Sequence, residues 1–550
     1  MQSLARLYWR LRYLTPLQLM QRLRLRLQPA ARLRPQPAAS VVPPPGAWQR
    51  PALAASVYLG KHRFRLLGRE LCLALPRAWS DSSLGRKFLM ELNTFNWLRG
   101  CNREDGAALL ESWVAAQGRP GGPGWHPYMT SQRIGNWLLW SRAGHDLSPA
   151  ACVSLVQQLR YLEKRLAYDE CDHKLISNAR ALLFAGHCLS HPRAARWRCR
   201  GEAMLSRWLP RLVLGDGGYR GASPMYHSAL LLDLLDIANL YSARGNPPPE
   251  ALARVVPAAL HWLRALCHTD GAPALFNDCA FEVTVAPAEL EAYALRLGWS
   301  YSRPPVEGCE LFAETGFARL QAGPALLLAD VGPLGPDCAA AHGHADTLTF
   351  EFTLGPRRVF VDGGLSTYEG LAQRLRERGT AAHNTLLLDG RNSSDVWGLF
   401  KLGRRARILA RETGEDGASH WVRASHDGYR RGGSPAIHER CWRLGEDELQ
   451  LEDRLEGRGN HAVELRFQVH PELDIEELPG RRLRIGGAGF PGLELELDER
   501  LSLSLEPFSY GTHFGPPRTG TAIVGRARLQ LPVSLSCRGC WPARVPARSE

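Results

Sequence analysis

Ala341–Leu354 reads AHGHADTLTFEFTL, and the second half of this stretch decides the fold. From Thr347 onward apolar and polar residues alternate one by one, the period of a strand with one buried face. The same rhythm returns in Val463–Val469 (VELRFQV), Leu493–Leu497 (LELEL) and Leu501–Leu505 (LSLSL). A looser version runs through Arg526–Leu535 (RARLQLPVSL), interrupted by Pro532. Many strands with one apolar face are satisfied by two packed antiparallel sheets.

Upstream the rhythm is different. Ala107–Ala116, Ser131–Arg142, Pro149–Ala167, Lys174–Leu189, Ala194–Leu212, Pro224–Ser242 and Pro249–Cys267 carry apolar residues three and four apart, separated by Gly, Pro or Asp breaks. Helices of similar length joined by short loops imply stacked helical hairpins, in a solenoid or a closed toroid. The period changes once, near Arg303-Pro304-Pro305. The reading is an α+β multidomain chain: a basic arm over 1–69, a helical domain over 70–305 and a sheet domain over 306–550.

At 550 residues the chain is too long for a single core. Hydrophobic residues at 45% and charged residues at 22% exclude global disorder, and no apolar run is long enough to span a bilayer. The net charge of +13 is unevenly placed. Thirteen Lys and Arg precede the first acidic residue, Glu70, so the remaining body is neutral. A uniformly basic nucleic-acid binder is therefore excluded. In the arm, Leu4, Leu7, Tyr8, Leu11 and Leu14 follow helical spacing with Arg6, Arg10 and Arg12 between them, and no signal-peptide apolar core is visible. Two readings stay open: peripheral contact with a membrane surface, or a first helix packed on its own domain. Thirteen scattered cysteines fit free thiols better than a disulfide framework, and the lone Cys537–Cys540 pair does not complete a zinc site.

Four clusters can carry chemistry. In the first, His342, His344 and Asp346 alternate, so extended backbone would project them to one side, with Asp362 and His383 following at strand edges. Such donors suit zinc. In the second, Ser223 caps a helix begun by Pro224, which puts Tyr226 in its first turn, where the helix dipole favours a phenolate. In the third, Asp172 caps the next candidate helix and His173 is expected to stand exposed in its first turn. The fourth sets Trp125, His126 and Tyr128 ahead of a helix carrying Arg133 and Asn136 on one face, a combination that suits sugar rings and carboxylates.

DGGYRGASPMYHSALLLDLLDI, HGHADTLTFEFTLGPRRVFVDGG and RERGTAAHNTLLLDG together resemble the heparinase II/III family of polysaccharide lyases, and WHPYMTSQRIGNWLLW and DHKLISNARALLFAG look like its helical domain. The resemblance covers about residues 85–530. It implies an incomplete α/α toroid followed by an antiparallel β-sandwich, and β-elimination on an acidic, uronate-containing polysaccharide. By similarity Tyr226 is the acid toward the leaving oxygen, with the base role as an alternative, His342 is the opposing base or its assistant, and His173 is the neighbour of the uronate carboxylate. Asp172, Tyr128, Arg133, Asn136, Arg376 and Arg378 would bind substrate. His344, Asp362 and His383 match a structural divalent-metal site of some members, with zinc as the ion, and no organic cofactor is implied. Asp172 stands where many relatives have Asn, and a free carboxylate there would repel a uronate. The resemblance places the protein at a bacterial cell envelope or periplasm, and the missing export signal makes the cytoplasm the alternative. A non-catalytic polysaccharide-binding or exopolysaccharide-biosynthesis accessory protein, and a hydrolase using HxHxD as a metal motif, are the competing classes.

Overall fold

A computed structural model describes residues 8–9, 11–27, 39–42, 45–117, 120–431 and 434–542. The amino-terminal expectations on Leu4, Arg6, Leu7 and Arg10 fall outside these residues. Helices α1 to α10 run over Pro16–Leu27, Arg86–Thr94, Arg103–Gln117, Pro127–Arg142, Pro149–Lys164, Lys174–Cys188, Ala194–Leu212, Pro224–Ser242, Glu250–Ala265 and Pro287–Arg296. The helical periodicity in the sequence located α3 to α9 to within a few residues, apart from the amino-terminal ends of α3 and α4. Residues in α1, α2 and α10 gave no such signal.

Helix α4 packs on α6, α6 on α7 and α8, and α8 on α9 and α10. Close approach of α6 and α7 depends on two glycines. A Cβ on Gly186 would lie 2.5 Å from the Arg198 backbone nitrogen, and one on Gly201 would lie 2.8 Å from Leu183. Helix α8 is buried over nearly its whole length, so it forms the centre of this half. Apolar residues on all sides of a helix are what a central position requires.

The carboxy-terminal half is one antiparallel hydrogen-bonded network organised by two long strands, Glu448–Val469 and Arg518–Cys540. Their pairing is continuous except for a register break between Leu455 and Gly459. Pro532, which has no N–H to give, sits opposite that break between the paired Leu531 and Val533. On one side of it the first long strand pairs with Ile437–Leu444, and on the other with Leu386–Leu388 and Phe360. The two sets of strands face each other over a shared apolar core, where Phe350 meets Trp442 with ring centroids 6.3 Å apart. The expected toroid and sandwich order is the order observed.

Strand Phe350–Leu354 shows why alternation predicts a strand but not what lies on its polar face. All five residues are buried. Glu351 receives His268 Nε2 at 2.5 Å, the Leu275 backbone N–H at 2.9 Å and Arg358 at 3.2 Å, and Thr353 bonds His268 Nδ1 at 2.6 Å. The polar face is the seam with the helical half.

The described residues before 70 include strands as well as a helix. Strands Val57–Gly60, Arg63–Leu66 and Arg69–Cys72 form a small sheet, so a boundary after residue 69 cuts a strand ladder. Helix α1 packs on the body through Leu17 and two buried glutamines. Buried Gln18 donates from Nε2 to the Asp169 carbonyl at 3.1 Å in the helical half and to the Cys338 carbonyl at 2.8 Å in the sheet half. Gln21 donates to the Leu166 carbonyl at 3.2 Å. All thirteen cysteines are free thiols. Among the described residues no helix is long and apolar enough to cross a membrane.

Candidate active site

A cavity of about 450 Å³ opens between the two halves, lined by Tyr128, His173, Lys174 and Tyr226 from the helical side and by His342, Tyr368 and Phe400 from the sheet side. Tyr226 owes its place to a capped turn. Ser223 Oγ accepts the Tyr226 N–H at 3.2 Å and donates to the Asp278 carbonyl at 2.7 Å, and Pro224 fills the first helical position. The phenol and the His342 imidazole lie with ring centroids 4.4 Å apart. Tyr226 Oη also bonds Tyr368 Oη at 2.5 Å, and the His173 ring stacks on Tyr226 at 4.6 Å.

The expected phenolate is not what this site favours. Burial, with the Asp278 charge adding to it, pushes the Tyr226 hydroxyl above its ordinary range. Desolvation of a phenolate outweighs a dipole contribution of about 1 kcal/mol at a helix N-terminus. Tyr226 is therefore a held proton.

Asp278, which no sequence motif marks, organises the opposite wall. His342 Nδ1 contacts its Oδ2 at 2.7 Å, His344 Nε2 contacts its Oδ1 at 2.9 Å, and the Arg374 guanidinium lies 2.5 Å away. Burial raises the Asp278 pKa, but Arg374 and the two histidines overcome it and keep the carboxyl ionised well below its ordinary range. An ionised carboxylate can only accept, so His342 carries a proton on Nδ1, and in the neutral tautomer of the ring the lone pair is on Nε2. Asn277, in a left-handed backbone conformation, accepts the His344 N–H at 2.9 Å and donates to the Ala222 carbonyl at 2.9 Å, tying the loop of His342 to the loop before Tyr226.

His173 is buried, not exposed, with edge contacts to Tyr128 and Tyr219. Both its ring nitrogens lack a protein partner, and burial holds the ring neutral, well below its ordinary pKa. Asp172 is paired: Lys174 Nζ lies 2.5 Å from one oxygen and the Lys174 N–H bonds the other at 3.0 Å. Glu170 makes a further ion pair with Lys174. Burial opposes the ammonium charge, but Asp172 and Glu170 hold Lys174 protonated, well above its usual range. The repulsion expected of a free Asp172 is thus cancelled inside the protein.

Four residues expected to bind substrate do other work. Arg133 is fully buried, stacked 3.9 Å over Trp113, and donates to Gln158 at 2.8 Å and to the Asn93 and Gly124 carbonyls at 2.9 and 2.8 Å. Asn136 bonds the Thr94 carbonyl and Asn96, both at 2.9 Å, inside the helical core. Arg378 is buried and grips the Gly343 carbonyl at 2.8 Å, bracing the loop that carries His342. Arg376 is exposed and bonds Gln373 at 2.6 Å. In their place the cavity is lined by cations from elsewhere, Arg22, Arg86, Lys87, Lys401 and Arg405. For Arg133 and Asn136 the cause is that helical spacing gives the residues that share a face but not which face is turned to the cleft.

Of the expected metal residues, His344 and His383 come together with Asp346, each offering a donor atom within 4.8 Å of the others. His344 Nδ1, Asp346 Oδ2 and His383 Nε2 are buried without a hydrogen-bond partner. Asp362 stands one step back, its Oδ2 bonded to His383 Nδ1 at 2.7 Å, so it orients a ligand in place of being one of the three. The alternating His342, His344 and Asp346 do not share a side. A 3₁₀ turn ending at His342 sends that ring to the cleft and the other two behind it. Two imidazoles and a carboxylate with orphaned atoms fit a divalent ion such as zinc.

The family model for the heparinase II/III-like C-terminal domain matches residues 304–537. FtsZ-localized protein C of Caulobacter vibrioides (strain NA1000 / CB15N) is 24% identical over 487 residues, covering 84% of this chain and 82% of that protein. The heparin-sulfate lyase of Bacteroides stercoris is 25% identical over 264 residues, 43% of this chain and 38% of its own length. Among solved structures, heparinase III superposes with a TM-score of 0.68 at 18% identity, covering 84% of this chain and 78% of that one.

Proposed function

We propose, from the match of residues 304–537 to the heparinase II/III-like C-terminal family model and from the heparinase III-like fold, that this chain is a polysaccharide lyase that cuts a uronate-containing acidic polymer by β-elimination. The observation that carries the proposal is the contact of Tyr226 with His342, ring centroids 4.4 Å apart, on the wall of a cavity lined by both cations and carboxylates, with Asp278 fixing the imidazole.

The C5 proton of a uronate is weakly acidic because its neighbour is a carboxylate. Removing it requires charge or hydrogen-bond donors on that carboxylate, a base on one side and an acid at the leaving oxygen. His173, neutral with both nitrogens unpaired, supplies a donor for the carboxylate, and Lys87 adds positive charge nearby. His342 Nε2 takes the C5 proton, and that electron pair becomes the C4–C5 double bond. The C4–O bond breaks, and Tyr226 protonates the departing oxygen. The 2.5 Å bond to Tyr368 aims the Tyr226 hydroxyl and offers a route for its reprotonation. A divalent ion held by His344, Asp346 and His383 would supply fixed positive charge behind the loop that presents His342. Metal analysis of the purified protein and of His383→Ala tests that assignment. We place the substrate at the bacterial cell envelope, where such polymers are made and trimmed.

The test is incubation with alginate, heparan, hyaluronan and bacterial exopolysaccharides while following the ultraviolet absorbance of the unsaturated product. Activity on one polymer that disappears in Tyr226→Phe supports the reading. Polymer binding with no unsaturated product on any of them overturns it in favour of a non-catalytic binding protein.

A further inference from the structure

Helix α1 is built inside out. In an ordinary surface helix the apolar stripe faces the core. Here the two buried residues are Gln18 and Gln21, both bonded to main-chain carbonyls, with Leu17 half-buried against the core beside them. Leu19, Met20, Leu23 and Leu27, spaced to share one face, point to solvent with exposures of 46, 63, 59 and 73%. Tyr8 and Leu11 are exposed just before them. Arg24 and Arg26 flank the stripe in the open, and Arg12 precedes it. No other contiguous set of large apolar side chains stands this open among the described residues.

We propose that this face docks the protein peripherally on an anionic lipid surface, with the leucines and Met20 in the headgroup boundary and the arginines on lipid phosphates. Charge selects this occupant. No acidic residue precedes Glu70, while thirteen Lys and Arg do, so a second copy would set one basic stripe against another. An anionic leaflet attracts the same residues. The opposite face of the segment contributes Tyr13, Leu14, Gln18 and Arg22 to the cavity, so docking sets the cleft beside the lipid surface. The inference rests on α1 alone and stands whether or not the cleft is a lyase site.

The experiment is co-sedimentation of the full chain with vesicles of phosphatidylcholine alone and of phosphatidylcholine mixed with phosphatidylglycerol, at low and raised salt. The expected result is recovery with the anionic vesicles, weakened by salt. The double substitution Met20→Glu/Leu23→Glu is expected to weaken binding by at least about tenfold. Both side chains are exposed and outside the cavity, so its circular dichroism should match the parent chain. Three results overturn the proposal: no recovery with anionic vesicles, equal recovery of the double variant, or a dimer in velocity sedimentation that the double variant dissolves.

Discussion

His342 and His344 are two residues apart and share one carboxylate, yet they belong to different chemistry. Asp278 holds one ring by each oxygen. His342 remains partly accessible and faces a phenol, whereas His344 is sealed behind it with Asp346 and His383. The difference is what occupies the second nitrogen. Facing a cavity, it is free to exchange a proton. Facing two buried donors, it is free only to bind something that stays. Residue type and spacing are the same in both cases, and the surroundings decide the role.

The largest expected effect breaks the comparison on the open side. Tyr226→Phe should lower turnover on the responsive polymer by about 10³-fold with little change in KM, read from initial rates of unsaturated product. Because the buried histidine cluster is untouched, its metal content should stay at the parent value.

A third histidine supplies a pH test. His227 accepts the Tyr219 N–H on Nδ1 at 3.1 Å and so donates from Nε2 to the Ala259 carbonyl at 2.9 Å. Burial moves its pKa from 6.5 down to about 4. The unfolded chain takes up the proton more readily, so this contribution is complete above pH 6.5 and is lost as pH falls toward 4. The loss approaches about 3 kcal/mol. Denaturant midpoints measured across that window should fall in the parent chain and fall less in His227→Gln. Equal slopes would show that the ring does not titrate there.

Asp278→Asn strikes both rings at once. An amide can accept from only one of them and leaves Arg374 without its counter-charge, so turnover should drop by about 10- to 100-fold and metal content should fall with it. A variant that loses turnover alone would show that the two histidines are independent. Arg376→Ala is the smallest change. The side chain is exposed and bonded only to Gln373, so stability should move by less than about 0.5 kcal/mol and turnover should stay at the parent value.

The sequence made the architecture legible because periods of 3.6 and 2 report directly on which faces are buried. It could not show that Thr353 and Glu351 point into a second domain. In the site, Tyr226, His342 and His173 were readable from motif context, and Tyr226's position from the Ser-Pro start of its helix. Asp278 and Tyr368 were not, since each sits in an irregular loop and acts through a partner at least 64 residues away. Arg133 and Asn136 misled because a planar fork of donors serves main-chain carbonyls as well as it serves a sugar. Asp172 looked like an obstacle because Lys174 was read as the start of a helix and not as its counter-ion.

Gln18 ties one carbonyl on each side of the cleft with a single amide. Any rotation that widens the jaw between Asp169 and Cys338 must tear one of those two bonds. Helix α1 is thus a latch whose handle lies on the outside of the molecule, and whatever grips that handle has leverage on how far the jaw can gape. A chain trimmed past residue 18 would lose the latch and the handle together.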